Sequence, residues 1–173
     1  MEMVKKIIGI MAVDPNGLIG IDNRLPWHYQ DELDNFRQLT HGQVVVMGRK
    51  TFETMPQSVL IDCTPIVFSH NKLNPCFDED IKCTVASSMQ DFFLIQNNLK
   101  CSQIFIIGGA QIAHLFLEHN LISEFIITRI HRSYKGNTYL NLTLLDEWHE
   151  TIVTRTQNYT ICKLTHKNYC EIQ

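Results

Sequence analysis

Residues 44–51 read Val44-Val45-Val46-Met47-Gly48-Arg49-Lys50-Thr51. Four apolar residues in a row, three of them β-branched, suit a strand covered on both faces. Gly48 then turns the chain, and a short helix is expected to start after it. The same design recurs downstream, where Ile104-Phe105-Ile106-Ile107 runs into Gly108-Gly109-Ala110-Gln111 and a helix over residues 111–119. Strands that leave through glycine into a helix imply βαβ units and a mostly parallel sheet.

Working outward, residues 7–13 read as a buried strand. Residues 14–28 carry Pro15, Asn16, Gly17, Gly20 and Pro26 and read as a long loop. Leu33, Phe36, Arg37 and Thr40 then share one helical face, and Gly42 ends that helix. Further strands are expected at residues 66–68, 82–86 and 125–130, with an amphipathic helix over 89–99. Residues 151–156 and 160–165 suit a short closing hairpin around Asn158. The expected fold is α/β: a central, mostly parallel sheet with an antiparallel C-terminal hairpin and helices on both faces.

The chain has 173 residues, which fits one domain spanning 1–173. It is 45% hydrophobic and 19% charged, an ordinary globular balance and not a disordered one. A formal charge of −3 gives no support to nucleic-acid binding. No apolar run approaches the roughly 18–20 residues of a membrane span. The start of the chain lacks the features of a signal peptide, so a cytosolic protein is expected. Six cysteines, Cys63, Cys76, Cys83, Cys101, Cys162 and Cys170, form no C-x-x-C pair, and the eight histidines show no metal spacing.

Two features carry chemistry. At each glycine junction, helix N-terminal N–H groups suit a phosphate, and two such junctions could grip the two ends of a dinucleotide. The competing reading is that the glycines only turn the chain. Neither junction is G-x-G-x-x-G. The second feature is Glu32, beside the apolar face of the first helix and just after Pro26-Trp27-His28-Tyr29. A carboxylate near apolar walls needs a partner, and a ligand with an amidine-like pair of N–H groups supplies one. Alternatively, Asp31 and Glu32 are exposed first-turn acids that favour the helix dipole. Ser69-His70 ends a strand, where ligands of α/β sheets often bind.

The chain resembles the dihydrofolate reductase family. The likeness rests on Gly17-Leu18-Ile19-Gly20, Leu25-Pro26-Trp27, Glu32-Leu33 with Phe36, Val46 to Phe52, and Ile107-Gly108-Gly109-Ala110-Gln111-Ile112, in that order, with Trp148 before the last hairpin. It implies a monomeric reductase that moves hydride from NADPH to dihydrofolate. It further implies that Glu32 binds the pterin N3 and 2-amino group and promotes protonation at N5, helped by Thr128 and Trp27, while Leu25 lies in a mobile loop over the nicotinamide. Leu33, Phe36, Met55 and Leu60 are expected to sandwich the substrate rings. Ile8 and Ile107 are expected to offer carbonyls to the pterin, with Gly9 beside them. Ile10, Ile19, Gly20, Gly48, Arg49, Lys50, Thr51, Phe68, Ser69, His70, Gly108, Gly109, Ala110, Gln111 and Ile112 are the expected cofactor residues, and no metal site is implied.

The chain also departs from the family pattern. Cys63 stands where the family has an arginine for the substrate's α-carboxylate, and Arg37 is the candidate to compensate. Ala113 replaces an aromatic residue, Asn137 an acidic one, and Gly9-Ile10 a small pair. These departures leave two alternatives beside dihydrofolate reduction. One is a reductase of a pterin or pyrimidine without the glutamate tail. The other is a non-catalytic binding module of the same fold.

Overall fold

The computed structural model describes residues 5–22, 24–71 and 81–166. Cys76 and Cys170 lie outside the described residues. The chain begins with β1 (Lys6–Val13) and β2 (Leu18–Gly20), followed by α1 (Gln30–Thr40) and β3 (Val44–Gly48). Next come α2 (Arg49–Thr54), α3 (Gln57–Leu60), β4 (Thr64–Phe68), β5 (Thr84–Ala86) and α4 (Met89–Asn97). The second half holds β6 (Gln103–Gly108), α5 (Ala110–Glu118), β7 (Glu124–Ile130) and β8 (Thr138–Tyr139). A 3-10 turn (Leu142–Leu145), β9 (His149–Arg155) and β10 (Tyr159–Thr165) complete it.

Eight strands form one sheet in the order β5-β4-β3-β6-β1-β7-β10-β9. Every pair from β5 to β7 is parallel, and the two pairs made by β10 are antiparallel. The continuous apolar runs of β3 and β6 sit in the middle of the sheet, as strands buried on both faces must. Both hairpin strands run seven residues, so the hairpin is longer than expected.

The two faces carry different layers. On one, Phe92 of α4 and Ala113, Phe116 and Leu117 of α5 pack with Met11, Val46, Ile106 and Phe125. On the other, Phe52 of α2 and Leu60 of α3, with Phe36 and Leu39 of α1, cover Ile8, Ile10, Val45, Met47 and Ile107. Gly9 belongs to the first face. A Cβ there would lie 2.4 Å from the Phe125 ring, so glycine is what lets that ring into the core.

The expected loop over 14–28 contains β2, which pairs with β8 as a separate two-stranded ribbon. Asp14 anchors this region. It is 1% exposed, and its Oδ1 accepts from the Asn16 and Leu18 backbone N–H groups at 2.8 and 2.9 Å. Its Oδ2 accepts from the Tyr134 N–H at 3.0 Å. Among the described residues no helix is long and apolar enough to cross a membrane.

Candidate active site

The site forms at the carboxyl edge of the parallel strands, where open α/β sheets bind ligands. Helix α1 brings Glu32 over β7, within reach of the Thr128 hydroxyl, which favours its ionised form. Thr128 itself is 4% exposed and level with Ala12 of β1. Burial pushes the Glu32 carboxyl above its ordinary value, the Asp31 charge adds to this, and Thr128 opposes it. Glu32 is therefore the partnered, half-buried acid and not a solvated first-turn residue.

An aromatic wall closes one side. Trp27 is 6% exposed, its ring lies 5.6 Å from that of Tyr134, and its buried Nε1–H meets no protein acceptor. The Tyr29 and Tyr134 hydroxyls are 3.2 Å apart. Tyr159 of β10, 6.0 Å ring to ring from Tyr29, donates to Asp31 Oδ2 at 2.6 Å. The sequence reading missed Tyr134 and Tyr159. Their partners lie more than a hundred residues away, so no local spacing signals them.

The apolar floor gathers Ile8, Ile10, Leu60 and Ile107, with Phe36 and Met55 packed against them. Leu33 is half-buried, and Leu25 is 53% exposed in the loop before α1. Gly9, expected beside the substrate, turns to the opposite layer because Phe125 fills the space its side chain would need.

Arg37 and Cys63 share a small cavity with Thr40, His41, Ser58, Val59 and Asp62. The Cys63 thiol is directed at the Val59 and Thr40 carbonyl oxygens, at 3.1 and 3.3 Å. Burial pushes that thiol up, so it is neutral. Arg37 Nη2 donates to Ser58 Oγ at 3.2 Å, while its buried Nε–H meets no acceptor. Asp62 faces His41 at 3.8 Å.

The two glycine junctions are neighbours because β3 and β6 pair, with Met47 opposite Gly108. Gly48 and Gly109 are the N-caps of α2 and α5, and neither makes a side-chain capping bond. First-turn N–H groups are thus left for a ligand. The junctions interlock: a Cβ on Gly109 would lie 3.5 Å from Thr51 Oγ1, and one on Gly48 3.3 Å from Ile112. Ala110 sits at the start of α5, and Gln111 and Lys50 are exposed.

Other expected cofactor residues are placed differently. Arg49 donates to Glu53 of its own helix at 3.0 Å, so its charge is balanced inside α2. The Phe68 ring packs on Phe116 and Phe92, 5.7 and 6.1 Å away, because its register turns it to the α4–α5 layer. Ser69 Oγ donates to the Asn71 carbonyl at 2.9 Å, and His70 is exposed. Ile19 packs on the α5-side core, and the Gly20 carbonyl accepts from Asn137 N–H at 3.2 Å. Ala113 is fully buried. Among the described residues no group of three or more His, Cys, Asp or Glu could hold a metal ion.

The family model for dihydrofolate reductase matches residues 6–169. The chain belongs to the dihydrofolate reductase family. It is 29% identical over 150 residues to the dihydrofolate reductase of Staphylococcus haemolyticus, covering 87% of this chain and 85% of that protein. The dihydrofolate reductase of Lactococcus lactis subsp. lactis is 34% identical over 138 residues, 79% of each chain. A solved dihydrofolate reductase from Enterococcus faecalis, complexed with NADP(H) and RAB-propyl, superposes with a TM-score of 0.72. That match is 20% identical and covers 94% of this chain and 97% of the other, so it supports the fold.

Proposed function

We propose that this enzyme reduces 7,8-dihydrofolate to 5,6,7,8-tetrahydrofolate with NADPH. The observation that carries the proposal is Glu32, held against Thr128 beside an aromatic wall. Two carboxylate oxygens match the N3–H and 2-amino N–H of a pterin, a bidentate pair that fixes the ring's orientation. The floor of Ile8, Ile10 and Ile107 takes its flat apolar faces. Glu32 promotes proton delivery to N5 through water, which makes C6 a better hydride acceptor. A raised proton affinity suits that task, and the unpartnered Trp27 N–H orients the water. Measuring NADPH oxidation by the purified protein with dihydrofolate tests the reading.

The junctions fit the cofactor, since two uncapped helix starts lie side by side around glycines. NADPH, when bound, supplies the hydride. Gly48, Thr51, Gly109 and Ala110 would hold its phosphates through backbone N–H groups and the Thr51 hydroxyl, with Lys50 and His70 adding positive or donor groups at the rim. Gly109 has an ordinary backbone angle, φ −71, and an alanine Cβ there meets only Thr51 at contact distance. Gly109→Ala is therefore expected to leave the thermal midpoint unchanged while weakening NADPH about tenfold or more, ~1.4 kcal/mol. Fluorescence titration with NADPH alongside a melting curve checks both halves.

Arg37 is the residue proposed to take the substrate's α-carboxylate. Its Nε–H lacks an acceptor beside the neutral Cys63, while its Nη2 donates to Ser58 Oγ. Arg37→Ala should raise KM for dihydrofolate about tenfold and leave KM for a tail-less dihydropterin unchanged. One observation favours a second reading, a reductase of pterins without the glutamate tail. Asp62 beside Cys63 puts negative charge next to Arg37, in the cavity proposed for the α-carboxylate. Equal KM values for the two substrates would select it. A cytosolic monomer is the form proposed, and sedimentation equilibrium tests the monomer.

A further inference from the structure

We propose that Asp31 and Tyr159 form a positioning pair for Glu32: their bond pins the first turn of α1 to β10 and fixes a negative charge beside the Glu32 carboxyl. The inference rests on Glu32 being the acid of the reaction proposed above. Helix α1 starts at Tyr29 without a side-chain cap, so its first-turn N–H groups gain no capping acceptor. Two consecutive carboxylates dock it instead. Asp31 accepts from the Tyr159 hydroxyl at 2.6 Å, and the Thr128 hydroxyl favours the ionised form of Glu32.

The two hydroxyls come from adjacent strands. Tyr159 pairs with Ile130 of β7, two residues beyond Thr128, and all three point to one face. Tyr159 is 4% exposed and set among Trp27, Tyr29, Ile130 and Ile161. It is a buried donor, and Asp31 is its exposed partner. Neither residue belongs to the family likeness read from the sequence.

The charge has a definite sign of effect. The charged group acting on Glu32 is Asp31 in its own helix, while Tyr159 from β10 bonds Asp31. From β7 comes the uncharged Thr128 hydroxyl, while Tyr29 and Tyr134 hydrogen-bond each other under Arg132. The bond from Tyr159 holds the Asp31 carboxyl below its usual range. Burial and the bond to Asp31 push Tyr159 up to about 12. Asp31 is thus ionised, and Tyr159 protonated, across the range in which Glu32 takes up its proton. A fixed negative neighbour makes that uptake easier.

Two variants separate clamp from charge. Asp31→Asn keeps an acceptor for Tyr159 and removes the charge. Tyr159→Phe keeps the charge and the ring but removes the bond. In the full-length protein, Glu32 is titrated by carboxyl-carbon NMR, and amide exchange is followed across residues 31–33. Asp31→Asn is expected to lower the Glu32 midpoint with exchange unchanged, and to shift to lower pH the limb on which hydride transfer slows as pH rises. Tyr159→Phe is expected to speed exchange in that turn about tenfold and to lower the maximal hydride-transfer rate. An unmoved midpoint in Asp31→Asn, or unmoved exchange in Tyr159→Phe, overturns the proposal. Both readouts are independent of turnover, so a protein that shows them without reducing dihydrofolate refutes the function and leaves the pair standing.

Discussion

Glu32→Gln is expected to slow dihydrofolate reduction at neutral pH by about a hundredfold or more, the usual contribution of a positioned acid. Glutamine keeps an oxygen for the Thr128 hydroxyl and nearly the same volume, so the pocket survives. It cannot carry a proton, and it offers one acceptor to a pterin edge that presents two donors. NADPH affinity is expected to stay within about twofold, because the glycine junctions do not involve α1. Single-turnover absorbance measurements give the first quantity and cofactor fluorescence the second. The same variant makes a stability prediction. A carboxyl whose proton affinity is raised by folding contributes stability below its ordinary value of 4.5, and that contribution is lost as pH rises through the raised value. Glu32→Gln has nothing to ionise. Its thermal midpoint should converge with that of the parent at acid pH and exceed it at neutral pH.

Asp14→Ala is expected to destabilise the protein by about 3–5 kcal/mol. Three backbone N–H groups lose their acceptor: that of Leu18 in a buried bond and those of Asn16 and Tyr134 in part-buried ones. Each buried donor left unsatisfied costs about 1–3 kcal/mol. Asp14→Asn is no rescue, because its amide would turn N–H groups toward a donor. The effect should reach the site, since Asp14 ties the β1–β2 turn to the segment whose Tyr134 ring supports Trp27. Urea unfolding at neutral pH measures the loss. An Asp14→Ala protein within about 1 kcal/mol of the parent contradicts the anchoring role.

The central strands were legible because β3 and β6 are continuous apolar runs with glycine at their ends, a pattern that does not depend on distant partners. The ribbon of β2 and β8 was not. Leu18–Gly20 and Thr138–Tyr139 have three and two residues, and what holds them is tertiary bonding, such as Leu140 N–H to the Gly17 carbonyl at 2.8 Å. In the site, Glu32 stood out as an acid beside an apolar stripe. Asp31 did not, since a first-turn acid looks the same whether it meets solvent or a buried phenol. Phe68 and Gly9 show the limit of reading strands one at a time. Which layer each meets depends on the sheet's register, and only the packing of Phe92, Phe116 and Phe125 settles it.

The most direct test of the central claim is the steady-state rate of NADPH oxidation with dihydrofolate, set beside the rate with a dihydropterin that lacks the aminobenzoyl-glutamate tail. Saturable reduction of dihydrofolate, with the higher kcat/KM of the two, is the predicted result. No NADPH oxidation with either compound, by a folded protein that binds NADPH, would contradict it.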